Sequence, residues 1–349
     1  MKIGILTFHY AYNYGAVLQA EALLNFLSQL GYDVAFVDYK NKSITDFYGI
    51  IDRRGLGRNK PFMVLKRILR YRKFKKYISN FPLINKDSIV KKGEIDVLVV
   101  GSDQVWNYNL TSGFDSYYWL DVPFTGKKVA YAASMNSSDI SKLELIKIKQ
   151  LLSNFDYISV REQSLKELLT PLSPVKVDLV LDPTLMIDPE YWTSRVRNSG
   201  CKGYVLAYPL RDTKNVINLA KRIAKAKGKK LIVLRGMPTN SCHYFKEELA
   251  DPFDFLTYFV NADYVVTSSF HGTAFSLIFQ KQFYTLKCTD NNNVRTESLL
   301  MSVGLSSRFV TMDDPIKSLE SIDYKIIRER LSELRQISQG VLINYLSKV

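Results

Sequence analysis

Short apolar runs alternate with helix-like patterns along almost the whole chain, and this alternation is typical of parallel α/β layers. In the first half the predicted strands are residues 2–8, 33–38, 96–101, 128–133, 157–160 and 177–181. Apolar side chains at helical spacing predict a helix over residues 16–30, with Gly31 as its C-cap. The continuous apolar run at residues 97–100 is typical of a strand covered on both faces.

A second series of the same kind begins near Gly203. It predicts strands at residues 204–208, 231–234, 264–267 and 283–286, and helices at residues 216–227, 253–261 and 323–346. The Pro-, Gly- and polar-rich residues 183–202 predict a linker, and a length of 349 residues is enough for two domains. We therefore predict an α/β fold of two Rossmann-like domains facing a cleft, at residues 1–190 and 200–322. A C-terminal helix at residues 323–349 is expected to pack back.

Composition and cysteine spacing exclude several protein classes. Hydrophobic residues at 46% and charged residues at 23% are globular values. No apolar run reaches the roughly 18 residues of a membrane-spanning helix, and the start of the chain turns polar after Phe8, unlike a signal peptide. The three cysteines show no CxxC spacing, which excludes a disulfide framework and a cysteine-rich zinc site. We expect a soluble, cytoplasmic protein.

The positive charge is concentrated in residues 53–76. This segment holds eleven Lys or Arg residues and no acid, so the rest of the chain carries only +3 of the net charge of +14. Apolar residues recur beneath the charges at roughly helical spacing, namely Phe62, Leu65, Ile68, Leu69 and Ile78. An amphipathic basic insertion at residues 53–80 is predicted in the first domain. It contacts an anionic membrane, or it is a solvated helix whose apolar stripe packs on the domain.

Polar residues that follow predicted strands are candidates for the site, because ligands of open α/β sheets bind beyond the carboxyl ends of strands. Asn13 and Gly15 follow the first strand, where a helix N-terminus would suit a phosphate or carboxylate. The GxGxxG and P-loop motifs are absent from the sequence. Ser102 and Asp103 follow the strand at residues 96–101. One of the two is expected to cap the next helix, and Asp103 is a candidate general base.

Arg161 follows the strand at residues 157–160. An arginine at such a position offers a bidentate fork for a carboxylate or a phosphate. The alternative is an internal ion pair with Glu162 or with Asp182. Both interpretations stay open on the sequence alone.

The segment YVVTSSFHGTAFSLIF predicts a buried strand that ends among hydroxyl groups and a helix from Thr273. It places His271, one of three histidines, at this turn with Ser269, and Gly272 allows a ligand to approach closely. Arg295 opens a later predicted helix against the preference of the helix dipole for acids, which makes it a functional candidate. Metal-hydrolysis and nucleophile-elbow motifs are absent from the sequence. The arginine, histidine and acidic residues at the strand ends instead indicate a site for a small, doubly anionic ligand and a hydroxylated one.

Several segments together resemble the polysaccharide pyruvyl transferase family. They are, in order, YNYGAVLQAEAL, VVGSDQVWN, VAYAASM, ISVREQS, VLDPTL, VTSSFHGTAFSLIF and NVRTESLL, and the resemblance spans nearly the whole chain. It implies a GT-B-like fold, phosphoenolpyruvate as the donor and no metal or resident cofactor. The implied acceptor is a sugar of a capsule or exopolysaccharide, commonly lipid-linked at the inner face of the membrane, and the product is a pyruvate ketal.

The resemblance also implies roles for individual residues. His271 carries over as the histidine of the family and as general acid, whereas Ser269 stands where the family motif often has an arginine. Arg295 or Arg235 would supply the missing cation, and Arg161 and Arg295 would bind the carboxylate and phosphate of the donor. Asp103 would act as base for the acceptor, and the other candidate substrate-binding residues are Asn13, Gly15, Ser102, Ser269 and Gly272.

Two alternatives remain. The first is a GT-B glycosyltransferase that uses a nucleotide sugar, for which Glu297 is the one nearby acid to hold a ribose. The second is a non-catalytic polysaccharide-assembly protein, which the serine at position 269 favours. A nucleic-acid partner is not expected, because the basic residues are not spread over a folded face.

Overall fold

Two parallel sheets form the framework of the chain. The computed structural model describes residues 1–51, 60–136, 140–198, 200–210, 212–238, 245–288, 293–312, 314 and 321–348. The residues group into two units: the first is Met1–Gly49, Ile78–Ile187 and Glu333–Val349, and the second is Ile50–Tyr77 and Asp188–Ser332. The boundary between Ile187 and Asp188 falls inside the predicted linker.

The sheet of the first unit has the order β3-β2-β1-β4-β5-β6-β7, with every pair parallel. Its strands are β1 (Lys2–Leu6), β2 (Asp33–Val37), β3 (Leu83–Ile84), β4 (Val97–Val100), β5 (Lys127–Ala133), β6 (Tyr157–Val160) and β7 (Val177–Leu179). In register, Gly4 of β1 lies beside Ala35 on one side and Leu98 on the other. Strands β2 and β3 follow on one side of β1 and strands β4 to β7 on the other, so the strand order reverses between β1 and β4.

The sheet of the second unit is also parallel, in the order β12-β11-β10-β8-β9. Its strands are β8 (Tyr204–Tyr208), β9 (Leu231–Val233), β10 (Ala262–Thr267), β11 (Gln282–Leu286) and β12 (Phe309–Val310). Here the order reverses between β8 and β10. The predicted α/β fold class with parallel strands is confirmed, and the sequence missed only short edge strands such as β3 and β12 among those described.

Helices connect these strands. They are α1 (Tyr14–Gln29), α2 (Lys42–Tyr48), α3 (Pro61–Ile78), α4 (Tyr108–Thr111), α5 (Lys142–Leu152), α6 (Gln163–Leu169), α7 (Pro183–Met186), α8 (Pro189–Thr193), α9 (Thr213–Lys227), α10 (Phe245–Glu248), α11 (Pro252–Asn261), α12 (Phe270–Ile278), α13 (Val294–Ser302) and α14 (Tyr324–Leu346). Local sequence fixes several of their ends. Ser141 and Asp251 each form a capping box that begins α5 and α11, and Gly228 ends α9 with a left-handed backbone.

Each unit has its own apolar core. In the first, Trp106 and Trp119 stack with ring centroids 4.8 Å apart beneath the sheet. In the second, α9 turns Val216, Leu219 and Ile223 toward the sheet. Burying side chains of this size contributes about 1.5–3 kcal/mol each, which is enough to hold the strand ends in fixed positions.

The predicted apolar stripe of the basic segment is wrong. Residues 52–59 lie outside the described residues, and the described part forms α3. The buried residues of this helix are Met63, Lys66, Arg67, Arg70, Phe74 and Tyr77, whereas Leu65 is 49% exposed. Three basic side chains therefore lie on the buried face of the helix. Lys66 is paired there with Glu248, which is distant in sequence.

Residues 50–77 also belong to a different unit from the one that we predicted. We placed the basic insertion in the first domain, but it groups with the second unit. Lys66 forms an ion pair with Glu248, and the ring of Tyr77 packs edge-on against Phe253 at 4.9 Å. These long-range contacts override the position of the segment in the chain.

The last helix, α14, is shared in the same way. Its residues up to Ser332 group with the second unit, and those from Glu333 onward with the first. In the first unit, Tyr345 donates a hydrogen bond to Asp178 at 2.7 Å, and Ser338 accepts one from the backbone of Leu181 at 2.8 Å. The expectation that the C-terminal helix packs back is met by these contacts.

Candidate functional site

Most of the candidate residues follow strands at which the order of each sheet reverses, whereas Arg161 follows β6 and Arg295 lies in α13. In the first unit, Thr7 after β1 donates from its hydroxyl to the carbonyl of Ser102 after β4, at 3.0 Å. In the second unit, Ser268 after β10 accepts from the backbone N–H of Leu210 after β8, at 3.2 Å. Such switch points open a crevice beyond the strand ends, where ligands of open α/β sheets bind.

The turn after β4 is shaped by the backbone. Gly101 has a φ of +111°, and a Cβ atom there would lie 2.2 Å from the carbonyl oxygen of Tyr131, so only glycine fits. Asp103 follows with a φ of +74°. The prediction that Ser102 or Asp103 caps the next helix is wrong, because Asn107 is the N-cap of α4. Both side chains are thus available to the polar cluster of this turn.

Arg161 lies at the centre of that cluster, with its side chain 1% exposed. Its guanidinium forms an ion pair with Asp182, contacts Asp103 at 3.3 Å and lies 3.6 Å from Glu162. It also donates to the hydroxyl of Ser102 at 3.3 Å. We call these five residues the Arg161 cluster.

Further contacts fix the carboxylates of the Arg161 cluster. Asp182 accepts from the backbone and hydroxyl of Thr184, at 3.0 and 2.7 Å, and Glu162 accepts from the hydroxyl of Ser134. Asp103 accepts from the N–H of Gln104 at 2.9 Å. The acids are held in place by these bonds as well as by the arginine.

The electrostatics of the Arg161 cluster favour the charged arginine. Burial by itself would lower the pKa of Arg161, but the carboxylates of Asp182, Asp103 and Glu162 outweigh it and raise the pKa above its usual value. One guanidinium faces three carboxylates here. The internal ion pairs that were our second interpretation are present, and contact between Arg161 and the donor stays a prediction.

His9 is a buried residue of the same edge and is not among the predicted site residues. Its Nδ1 lies 3.1 Å from the carbonyl of Thr7 and so donates, and its ring stacks on Phe36 at 4.8 Å. Among the described residues, its Nε2 finds no hydrogen-bond partner. Burial lowers the pKa of His9 to about 4. The scarcity of histidine and the position after β1 were the signals in the sequence.

The turn between β1 and α1 contains the other candidates of the first unit. Asn13 is the N-cap of α1: its side chain accepts from the N–H of Ala16 at 3.2 Å and donates to the hydroxyl of Tyr48 at 3.1 Å. Gly15 lies in the first helical turn and is not among the glycines with positive φ, so it is a helical residue rather than a tight-turn residue. Ligand binding by Asn13 and Gly15 stays a prediction.

In the second unit, the turn from β10 into α12 is built around Thr267. Its hydroxyl donates to the carbonyl of Tyr208 at 2.8 Å and accepts from the N–H of Ser269 at 3.0 Å. A Cβ atom on Gly272 would lie 2.2 Å from this hydroxyl, which explains the glycine. The helix begins at Phe270, three residues earlier than we predicted, because Ser269 caps it by accepting from the N–H of Gly272.

His271 therefore lies in the first turn of α12, 8% exposed. A helix N-terminus carries a partial positive charge and N–H groups without helical partners, an environment that stabilises anions. Thr273, in the same turn, exchanges a hydrogen bond of 2.7 Å with Thr285 of β11. Ser269, His271 and Gly272 lie together at this turn, at a position that suits a phosphate or a carboxylate, and ligand binding by them stays a prediction.

Arg295 lies in the first turn of α13, as predicted, and is partly buried. Just before it, the side chain of Asn293 accepts from the N–H of Cys288 at 2.9 Å and donates to its carbonyl at 2.7 Å. Arg308 lies nearby in sequence with its guanidinium 5.0 Å from the ring centroid of Tyr284. The role of Arg295 toward a donor stays a prediction.

The described part of the chain contains no group of three or more His, Cys, Asp or Glu residues that could hold a metal ion. None of its helices is both long enough and apolar enough to cross a bilayer.

Two solved structures share the fold over their full lengths. UDP-GlcNAc 2-epimerase from Neisseria meningitidis, bound to UDP-GlcNAc, is 10% identical and aligns over 100% of each chain with a TM-score of 0.50. UDP-GlcNAc 2-epimerase from Methanocaldococcus jannaschii, in complex with UDP-GlcNAc and UDP, is 13% identical over 100% of each chain, also with a TM-score of 0.50. At these identities the likeness shows the fold alone, which is of the predicted GT-B type.

No curated protein matches the chain. A family model does, and it is that of polysaccharide pyruvyl transferase, matched over residues 13–290. The matched range contains the Arg161 cluster and the first turn of α12, and it ends five residues before Arg295. Such a match supports a transferase of polysaccharide biosynthesis. The chain belongs to the polysaccharide pyruvyl transferase family.

Proposed function

We propose that the chain transfers the pyruvate unit of phosphoenolpyruvate to a sugar of a surface polysaccharide, such as a capsule or exopolysaccharide, or of its lipid-linked precursor. The product is a pyruvate ketal that bridges two hydroxyl groups of one sugar. The single observation that carries the proposal is the first turn of α12, where Ser269, His271 and Gly272 form a helix N-terminus inside the range matched by the family.

The proposed reaction conserves atoms and charge without a resident cofactor. A proton adds to the methylene carbon of phosphoenolpyruvate while a sugar hydroxyl adds to C2 and gives its proton to a base. The bond between C2 and the phosphate oxygen then breaks, and its electron pair leaves with inorganic phosphate. The second sugar hydroxyl attacks C2 and loses its proton, which closes the ketal.

The second unit supplies the groups that this scheme needs for the donor. The N-terminus of α12 and Arg295 provide positive charge for the phosphate and carboxylate, and positive charge that is fixed before reaction lowers the barrier most. His271 is the proposed proton donor, to the methylene carbon or to the departing phosphate. Histidine is the side chain that most often transfers protons in catalysis at neutral pH.

In the first unit, Asp103 is the proposed base for the acceptor hydroxyl. Its side chain is 15% exposed and is held by Arg161 and by the N–H of Gln104. Because Arg161 is occupied by carboxylates, we propose that it acts chiefly by positioning Asp103 and Asp182, and contributes to donor binding only indirectly.

Calorimetry with the purified chain tests the donor. Phosphoenolpyruvate is expected to bind, and Arg295→Ala is expected to weaken binding about ten-fold or more, as for the loss of a charge-assisted hydrogen bond. His271→Gln is expected to retain binding but to lower kcat by about 10²–10⁴-fold in a phosphate-release assay with lipid-linked glycans as acceptors. Variants that keep the wild-type kcat/KM would contradict these roles.

The same titration distinguishes the alternative of glycosyl transfer. UDP- and GDP-sugars are run beside phosphoenolpyruvate. Binding of a nucleotide sugar, with no binding of phosphoenolpyruvate in the presence or absence of acceptor, would replace the proposal with a glycosyltransferase. A chain that binds neither would point to a non-catalytic assembly protein.

We also propose peripheral contact with the inner face of an anionic membrane through the exposed lysines of α3, namely Lys73, Lys75 and Lys76. Each basic residue near such a surface contributes about 1 kcal/mol. The double variant Lys75→Ala/Lys76→Ala is therefore expected to weaken co-sedimentation with anionic vesicles by about 2 kcal/mol. Lys91→Ala/Lys92→Ala removes the same charge elsewhere as a control. Equal binding to anionic and neutral vesicles would defeat the proposal.

A further inference from the structure

The buried face of α3 carries three basic residues, although burial of charge is costly unless the charge is paired. Lys66 and Glu248 form an ion pair at 2.5 Å in which both side chains are 0% exposed. Arg70 is 3% exposed and Arg67 is 6% exposed. A solvated or membrane-facing helix has no need of a basic inner face, so this face serves the second unit itself.

Arg70 and Lys66 contact the second unit at two places, Arg235 and Glu248. The guanidinium of Arg70 donates to the carbonyl of Glu248 at 3.1 Å and to the carbonyl of Arg235 at 3.5 Å. Lys66 holds the side chain of Glu248. Glu248 is the last residue of α10, and an arginine at the last carbonyl of a helix is a stabilising cap.

Arg235 follows β9, at the carboxyl edge of the sheet that carries His271. Leu234 donates from its backbone to Ala207 of β8 at 2.9 Å, which fixes the direction in which the chain leaves β9. At Gly236, a Cβ atom would lie 3.5 Å from the side chain of Leu210 and 3.9 Å from the hydroxyl of Tyr208. Arg235 is therefore held beside the residues that follow β8.

The ring of Tyr208 connects this segment to the first turn of α12. The hydroxyl end of the ring lies by Gly236, and its Cδ1 lies 3.0 Å from a Cβ atom built on Gly272. Gly272 adjoins His271. The ring of Tyr208 therefore lies next to the neighbour of Arg235 and to the neighbour of His271, at one edge of the sheet.

We propose that Arg235 binds an anionic group of the donor, phosphate or carboxylate, and that Arg70 is a positioning residue that holds Arg235 there through its carbonyl. This inference rests on the proposed function, because it names the donor as the source of the anion. It assigns to α3 an internal task that is separate from any membrane contact of its exposed residues. Ser269 stands where the family motif often has an arginine. Arg235, which follows a different strand, then supplies the positive charge that the serine lacks.

Calorimetry of the full chain with phosphoenolpyruvate tests the proposal. Arg235→Ala is expected to raise the Kd at least ten-fold, and Arg70→Ala about three- to ten-fold. Arg72→Ala, which removes the same charge from the exposed side of the same helix, is expected to change the Kd less than two-fold. Arg70→Lys, which retains one donor, is expected to recover part of the loss.

A kinetic and a structural measurement separate positioning from general damage. Arg70→Ala is expected to raise the KM for phosphoenolpyruvate with little change in kcat, and to speed amide exchange at residues 234–237, whereas Arg72→Ala leaves both unchanged. If Arg70→Ala does not fold, the comparison of Arg235→Ala with Arg70→Lys replaces it. Fold is checked by thermal melting in every variant.

The inference is overturned if Arg235→Ala binds phosphoenolpyruvate as the wild type does while Arg295→Ala does not, a result that leaves the proposed function standing. It is also overturned if Arg70→Ala and Arg72→Ala behave alike. A wild-type chain that binds no phosphoenolpyruvate, with or without acceptor, overturns the proposed function and this inference together.

Discussion

The two strand-order reversals of the molecule are alike in topology and opposite in chemistry. In the first unit, the Arg161 cluster surrounds one buried guanidinium with three carboxylates. In the second, hydroxyl groups and His271 surround the N-terminus of α12. The same α/β architecture therefore presents an acidic, internally bonded edge in one unit and an anion-attracting helix end in the other.

This difference separates two kinds of task. A carboxylate that is already held by an arginine and backbone groups can accept a proton or orient a hydroxyl without first reorganising. A helix N-terminus attracts a phosphate or a carboxylate instead. The comparison predicts that damage to the first edge is felt mainly as lost stability, and damage to the second mainly as lost donor affinity.

The largest effect is expected for Arg161→Met. Removing the guanidinium leaves Asp182 and Glu162 buried without their cation, and breaking a buried ion pair costs about 3–5 kcal/mol. Urea unfolding followed by tryptophan fluorescence measures it, because Trp106 and Trp119 lie in the first unit. Arg295→Met, at a partly buried position, serves as the control. Unchanged stability with loss of phosphoenolpyruvate binding would make Arg161 a donor ligand and break the comparison.

The next effect is a pH dependence that arises from His9. Burial lowers its pKa in the folded chain to about 4, and the charges of Lys40 and Asp38 have smaller, opposite effects. The unfolded chain, with a pKa near 6.5, binds the proton first as pH falls. Stability is therefore lost between about pH 6.5 and pH 4, on the order of 3 kcal/mol in total.

The variant His9→Asn is the check on that dependence. An amide can still donate to the carbonyl of Thr7 and does not titrate in this range, so the variant should show a flatter dependence of unfolding free energy on pH. A slope equal to that of the wild type would assign the effect to other groups of the first unit.

The smallest effect on stability is expected at the second edge, for Gly272→Ala. The added methyl group would lie 2.2 Å from the hydroxyl of Thr267, and overpacking of this kind costs about 1–3 kcal/mol. Donor affinity is expected to fall as well, because the first turn of α12 must shift. Gly340→Ala in α14, where the methyl group meets nothing within 4 Å, is the control. Full donor affinity in Gly272→Ala would argue against an anion at this helix end.

Much of the fold could be predicted because the relevant signals are local. Alternating apolar runs located most strands of both sheets, and hydroxyl and glycine residues marked the turn after β10. The two-residue strands β3 and β12 escaped because so short a run carries no periodicity. Their pairing depends on the neighbouring strands β2 and β11.

The contacts of the candidate site were less accessible. Arg161 finds Asp103 from another strand end, and Lys66 finds Glu248 from a distant helix; neither partner is marked by spacing in the sequence. For the same reason α3 was assigned an apolar inner face. Its buried face combines three basic residues with Met63, Phe74 and Tyr77, and the carboxylate that pairs with Lys66 lies 182 positions away along the chain.

The division of α14 between the units has a consequence for biosynthesis. Tyr345 and Ser338 complete the edge of the first sheet near β7, yet the ribosome makes them after every residue of the second unit. Residues 50–77 are made early, but Lys66 can form its ion pair only after Glu248 has been made. Domains usually fold in order as the chain emerges. Here neither unit can finish folding before residues of α14 have been translated, so termination before this helix leaves both incomplete.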